Sequence, residues 1–228
     1  MKKQALFLAT LVTSLAAGSL QAQVANEGLA NSIIAARQKN AQMMQQYSWN
    51  CRIEVLDSGT VKDTRIEQCV YGANNQVTRT LINDVGAPLP HGFVRKRIAE
   101  KEREDIAKYL KQVVVLLDKY TLPSAGAVIN FISSAPIPPP GPGGELQISG
   151  GSVVQPGDTM SLWIYAPTRA ARKVTVVTTD SDGNQVNFTG SFKTLNTGLN
   201  YLQYATIDIP AKNLSIQVQN YDYLNQNN

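Results

Sequence analysis

The run Pro136-Ile137-Pro138-Pro139-Pro140-Gly141-Pro142-Gly143-Gly144 divides this chain into two regimes. Proline fixes φ and removes the amide donor, so no helix and no central strand can pass through such a run. Before it lies a stretch rich in helix formers. Beyond it, strands are expected at Glu145–Ser149, Thr159–Ala166, Lys173–Thr179, Gln185–Thr194, Tyr201–Ile209 and Asn213–Tyr221. They are separated by turn signals at Pro156-Gly157-Asp158, Asp182-Gly183-Asn184 and Asn196-Thr197-Gly198. Leu214, Ile216 and Val218 alternate with Ser215, Gln217 and Gln219, the period of a strand with one buried face. In Thr159–Ala166, Leu162 and Ile164 oppose Trp163 and Tyr165, which predicts a central strand covered on both faces, with helix on one of them. The proline run is read as a strap within one domain rather than as a ligand for a recognition module.

Upstream, Leu29, Ile33, Ala36, Met43 and Met44 recur at helical spacing and predict an amphipathic helix over Glu27–Gln46. Cys51, Ile53 and Val55 then alternate with polar residues as a strand, a second strand runs Val61–Tyr71, and Gln76–Leu81 follows the turn Gly72-Ala73-Asn74-Asn75 as a third. Residues 94–120 predict a long helix, with Ile98, Ile106, Leu110, Val113 and Leu117 on one stripe and the pairs Lys96/Glu100, Lys101/Asp105 and Glu104/Lys108 four apart. Ser124–Ser134 predicts a shorter apolar helix after Leu122-Pro123. The fold class expected is α+β, a curved antiparallel sheet or half-barrel wrapping or covered by helices, and mostly β after residue 144.

Residues 1–22 have the pattern of a cleavable signal peptide. Lys2 and Lys3 precede an apolar stretch from Ala5 to Ala17 and a small-residue exit, with cleavage after Ala22 or Ala25. The apolar run falls short of the roughly 20 residues a spanning helix needs. Residues 23–228 then form a single domain without a membrane span, exported to the periplasm or beyond. The net charge of +4 halves once Lys2 and Lys3 leave, which argues against nucleic acid as a partner.

Export also bears on Cys51 and Cys69, the two cysteines of the chain. Both lie nine residues from Thr60, so a hairpin centred there would set them directly opposite and able to bridge. Two buried free thiols are the alternative.

Motifs for catalysis are absent from the sequence. His91, in Pro90-His91-Gly92, is the single histidine and has no ligand cluster beside it, so neither a metal nor a cofactor is expected. Neither a Gly-x-Ser-x-Gly elbow nor a His-Glu-x-x-His helix occurs. Asp180-Ser181-Asp182-Gly183-Asn184 has part of a calcium loop but lacks its outer ligands, and reads as a hairpin turn. Gly141-Pro142-Gly143-Gly144 has Leu146 where a dinucleotide fingerprint needs its last glycine. The chain is therefore read as not an enzyme.

The order helix, antiparallel strands, helices and a run of antiparallel strands resembles the LolA-like half-barrel proteins of the bacterial envelope, the lipoprotein carrier and sorting relatives. It is similar also to uncharacterised exported proteins of that layout. The residues that carry the resemblance are Tyr47-Ser48-Trp49 leading into Arg52-Ile53-Glu54-Val55, and Leu162-Trp163-Ile164-Tyr165 turning through Pro167-Thr168-Arg169 into Arg172-Lys173-Val174-Thr175-Val176. The resemblance implies an apolar cavity between sheet and helices that holds a lipid or lipoprotein acyl chain. Trp49, Trp163, Tyr165 and Phe188 are the rings expected near such a cavity, with ordinary core packing as their other reading. The alternative function is a structural or interaction module with a filled core.

Overall fold

A computed structural model describes residues 26–72, 76–86, 93–121 and 124–227, without the side chains of residues 93–96, 98, 99, 102 and 103. The signal-peptide pattern, both cleavage positions, His91, Pro123 and the centre of the Asn74-Asn75 turn lie outside the described residues.

Nine strands form one antiparallel sheet: β1 (Tyr47–Asp57), β2 (Thr60–Tyr71), β3 (Val77–Asp84), β4 (Glu145–Gly151), β5 (Thr159–Tyr165), β6 (Ala170–Thr179), β7 (Gln185–Thr194), β8 (Asn200–Ile209) and β9 (Leu214–Asn225). Their spatial order is β3-β2-β1-β9-β8-β7-β6-β5-β4, so the sheet is open, with β3 and β4 at its edges. It is two meanders joined where β1 meets β9. Among the described residues three α-helices accompany it: α1 (26–44), α2 (Phe93–Thr121) and α3 (Ala125–Ser134). The architecture is α+β with an open, curved antiparallel sheet. Register shifts at Val55/Leu56, Ser48/Asn50, Ile66/Glu67, Trp163/Ile164 and Ser191/Phe192 supply bulges of the kind that bend a sheet.

The helices bury one face of β4–β9. Ala30 and Ile33 of α1, Val113, Leu117 and Tyr120 of α2, and Val128, Phe131 and Ile132 of α3 share a core with Leu146, Ile148, Ile164, Val174, Val176, Phe188, Ile207 and Ile216. That face is called the inner face below. Ser124 caps α3 by accepting from the Ala127 amide at 3.2 Å. Gly150 matters for a spatial reason: a Cβ there would sit 3.1 Å from the Phe131 ring, so its absence lets α3 close on β4. The proline strap leads from α3 to the edge strand β4, with Ala135 buried and Ile137 half-buried against the same core.

Two tyrosines on α2, eleven positions apart, pin the helix to loops of the sheet. The Tyr120 hydroxyl donates to Asp158 Oδ2 at 2.7 Å and lies 2.9 Å from Thr178 Oγ1. Asp158 also accepts from the amides of Val153, Val154 and Gln155. Burial opposes the charged carboxylate, but these amides and the Tyr120 hydroxyl outweigh it and hold Asp158 below the usual carboxylate range. Burial and the same carboxylate push the Tyr120 phenol up to about 12. Tyr109 does the equivalent at the β6–β7 turn, where its hydroxyl donates to Asp180. Asp180 in turn accepts from the amides of Asp182 and Asn184, so this segment is a hairpin turn, with its first carboxylate occupied by the turn itself.

Several expectations shift. β5 is not central but second from the edge, and helices cover only its inner face. Its outer ring Trp163 is half-buried beneath Lys173, whose Nζ lies 5.1 Å from the ring centroid. β9 runs four residues past Tyr221, because Asp222 adopts a left-handed φ of 54° and the strand resumes beyond the bulge. The hairpin between β1 and β2 turns on Ser58-Gly59, with φ of 51° and 75°, rather than on Thr60.

Candidate functional site

The sheet continues three strands beyond the helix-covered core, and there the inner face changes chemistry. Trp49 on β1 stacks on Tyr223 of β9, with centroids 5.6 Å apart and planes within 5°. Tyr223 also meets Tyr201 of β8 at 4.2 Å and Tyr47 at 6.5 Å, while Tyr71 of β2 tilts against Trp49 at 5.9 Å. Met44, at the end of α1, packs against this group. Burial raises the Tyr223 phenol far above its ordinary range, so it is a neutral ring at any physiological pH.

Beside the rings lie both thiols. With the turn at Ser58-Gly59 and the bulge at Val55/Leu56, Cys51 pairs with Glu67 and Cys69 with Trp49. The cysteines are therefore diagonal neighbours on the same face, not directly opposite. The two-residue displacement keeps them facing the same way, whereas a one-residue slip would have separated them. Both are free thiols and buried. Arg79 of β3 reaches Cys51 Sγ at 3.7 Å while pairing with Glu67 Oε2 at 3.0 Å. The neighbouring Cys69 thiol lowers the Cys51 thiol below its ordinary value, against the effect of burial and with the help of the Arg79 charge. Its neighbour Cys51 and burial raise the Cys69 thiol.

Further toward the edge, Val77 and Leu81 continue the inner face, opposite Tyr71 and Glu67. They are 36% and 54% exposed. The inner face thus runs from a buried aromatic floor at Trp49, past the Arg79–Glu67 ion pair, to an open apolar rim at Val77 and Leu81 on β3.

The four rings named from the sequence occupy three settings. Trp49 belongs to this cluster, and Phe188 packs in the helix-covered core. Trp163 and Tyr165 lie on the outer face of β5, under Lys173 and Arg172 respectively. The structure does not bring them together. Tyr71, Tyr201, Tyr223 and Arg79 are the members of the cluster that the sequence left unmarked. Tyr201 and Tyr71 fall on expected strands, but the face shown by Tyr223 depends on a bulge, and Arg79 depends on the β2–β3 register.

On the outer face, Arg52, Glu54, Tyr204, Gln217 and Gln219 line a hollow of about 160 Å³. Its lining is mixed, with Ala205 and Val218 among the polar groups, and it is smaller than the roughly 300 Å³ at which ligand pockets begin. Among the described residues, no group of three or more His, Cys, Asp or Glu side chains could hold a metal. No described helix is long and apolar enough to cross a membrane.

No family model matches the chain, and no curated protein matches it. Among solved structures, a DUF1329 family protein from Desulfovibrio piger is similar over 86% of this chain and 91% of its own, at 9% identity and a TM-score of 0.35. A LolA superfamily protein from Nitrosomonas europaea is similar over 83% of this chain and 91% of its own, at 9% identity and a TM-score of 0.36. The second bears the superfamily name that the sequence layout resembles.

Proposed function

We propose that this chain is an exported, non-enzymatic binding protein that holds a lipid or lipoprotein acyl chain against the inner face of its sheet. The observation that supports this is the inner face of β1–β3, buried and aromatic at Trp49 and exposed and apolar at Val77 and Leu81, with the Arg79–Glu67 ion pair between them. A flexible hydrocarbon chain gains by removing such a surface from water, at about 25 cal/mol per Å². Flat aromatic rings such as Trp49 and Tyr71 supply wide contact without any directional demand on the ligand. Export to the bacterial envelope belongs to the same proposal and is supported by the pattern of residues 1–22.

Trp49 provides its own reporter. In the Trp163→Phe protein it is the sole tryptophan, and titration with a fluorescent or brominated fatty acid is expected to quench it saturably. Organic extraction of the purified protein, followed by mass spectrometry, is expected to release lipid. Absence of extractable lipid together with no saturable quenching overturns the proposal.

One observation favours a second reading, an interaction module. β3 is an edge strand on which Leu81, Ile82 and the adjoining Val85 are 54%, 57% and 60% exposed, and edges of this kind invite strand addition. Under that reading, Ile82→Lys abolishes association with a protein partner and acyl binding is never observed.

A further inference from the structure

The thiol pair has an asymmetry that core packing does not require. Cys51 and Cys69 are both buried, at 2% and 0% exposure, yet only Cys51 receives a hydrogen bond from a guanidinium. That Arg79 group is held by Glu67 at 3.0 Å and is itself half exposed, so it lies on the solvent side of the buried pair. Cysteines buried among apolar groups are inert, whereas reactive ones sit in electropositive settings near solvent, and the half-exposed Arg79 brings both conditions to Cys51. Here one sulfur is beside a half-exposed cation, and its partner sulfur lies diagonally across the strand pair on the same face.

We propose that Cys51 and Cys69 form a redox-active dithiol, in which Cys51 is the attacking thiolate and Cys69 the resolving thiol, closing to a cross-strand disulfide by exchange with an external disulfide. The Cys51 thiolate attacks one sulfur of that disulfide, whose S–S bond breaks to release a thiolate and leave a mixed disulfide on Cys51. Cys69 then loses its proton and attacks Cys51 Sγ, the mixed S–S bond breaks, and the second thiolate departs. Two electrons pass from the cysteines to the external disulfide, and the two released thiolates take up the two protons. The proposal stands independently of acyl binding.

Electrostatics agree with these roles. The Cys51 thiol is lowered toward neutrality, whereas the Cys69 thiol is raised. Of the other groups facing the pair, Glu67 opposes ionisation, Arg79 favours it, and the Tyr71 and Tyr223 phenols are kept neutral by burial. Closure also has a structural consequence. Diagonal partners in an antiparallel pair have Cα atoms about 7–8 Å apart, somewhat beyond the roughly 6.8 Å upper limit of ordinary disulfides. Bond formation therefore draws β1 and β2 together. Trp49, directly opposite Cys69, moves with them.

The test uses the reduced full chain with glutathione disulfide as the oxidant at pH 7. The intact protein is expected to lose two hydrogens by mass and to retain no adduct. Cys69→Ser is expected to accumulate one glutathione on Cys51, and Cys51→Ser to react roughly five- to tenfold more slowly than Cys69→Ser, the thiolate gain being partly offset by lower nucleophilicity. Brief alkylation of the unmutated protein followed by peptide mapping needs no variant, and it is expected to label Cys51 first. Two thiols surviving oxidant, or Cys69 labelled as fast as Cys51, overturns the proposal.

Discussion

The two halves of the sheet solve the same problem differently. Where helices cover β4–β9 the inner face is mainly aliphatic and sealed by α1–α3, and the polar groups that enter it, Asp158 and Thr178, are satisfied by Tyr120 and backbone amides. Over β1–β3 the inner face is aromatic, carries two thiols and a guanidinium, and ends in exposed valine and leucine. Filled aliphatic cores confer stability because every methylene has partners on all sides. A surface that leaves its rim open gives up part of that stabilisation and keeps it available for another molecule. Stability and function are thus expected to map onto different strands.

The largest expected effect lies in the sealed half. Phe188→Ala removes a buried ring and should cost about 3–5 kcal/mol by denaturant unfolding, with acyl binding intact in whatever fraction stays folded. A loss of only about 1 kcal/mol would show that the core is not tightly filled, and the contrast between halves would fail.

Next comes the α2 clamp. Asp158→Asn should cost about 2–3 kcal/mol at pH 7, because a charged acceptor of four hydrogen bonds is replaced by an amide that must also place two donors. The native Asp158 pKa is lowered, so its stabilisation is complete above the unfolded value of about 3.9 and is lost as pH falls through the native value. Stability measured from pH 7 to pH 2 should therefore fall less steeply in the variant than in the wild type. Parallel acid limbs would remove Asp158 from the account.

Trp163→Ala is expected to cost about 1–2 kcal/mol, since the ring is only half-buried and its defined partner is the Lys173 ammonium. Acyl binding should be unchanged, because the ring faces away from the inner surface. Smallest of all in stability is Leu81→Ala at the rim, expected within about 0.5 kcal/mol of wild type. It should nevertheless weaken acyl binding severalfold, and unaltered affinity would move the ligand surface away from β3.

Much of the fold follows from short-range pattern. The alternation of Leu214, Ile216 and Val218 fixes which side of β9 is buried, and the stripe through Val113 and Leu117 fixes the buried side of α2, because both periods are properties of local backbone geometry. The hairpin turns are equally local, as Gly59 and Gly183 at positive φ demonstrate. The site is less legible. Trp49, Cys51 and Cys69 stand out by residue type, yet Trp163 and Tyr165 stand out for the same reason and face the other way.

By itself, then, the sequence determined the element types, the class of fold and the strap that keeps the helical middle from running into the β region. Proline, glycine and hydrophobic period act over a few residues and need no partner. Only the tertiary structure decided that β1 pairs with β9, since nothing local in Tyr47–Asp57 names a strand more than 150 residues away. It decided also that a left-handed Asp222 turns Tyr223 onto Trp49, and that the β2–β3 register places Arg79 over Cys51. A bulge or a turn shift of one or two residues costs little in local energy but changes which side chains meet, and that is where the chemistry of this protein was set.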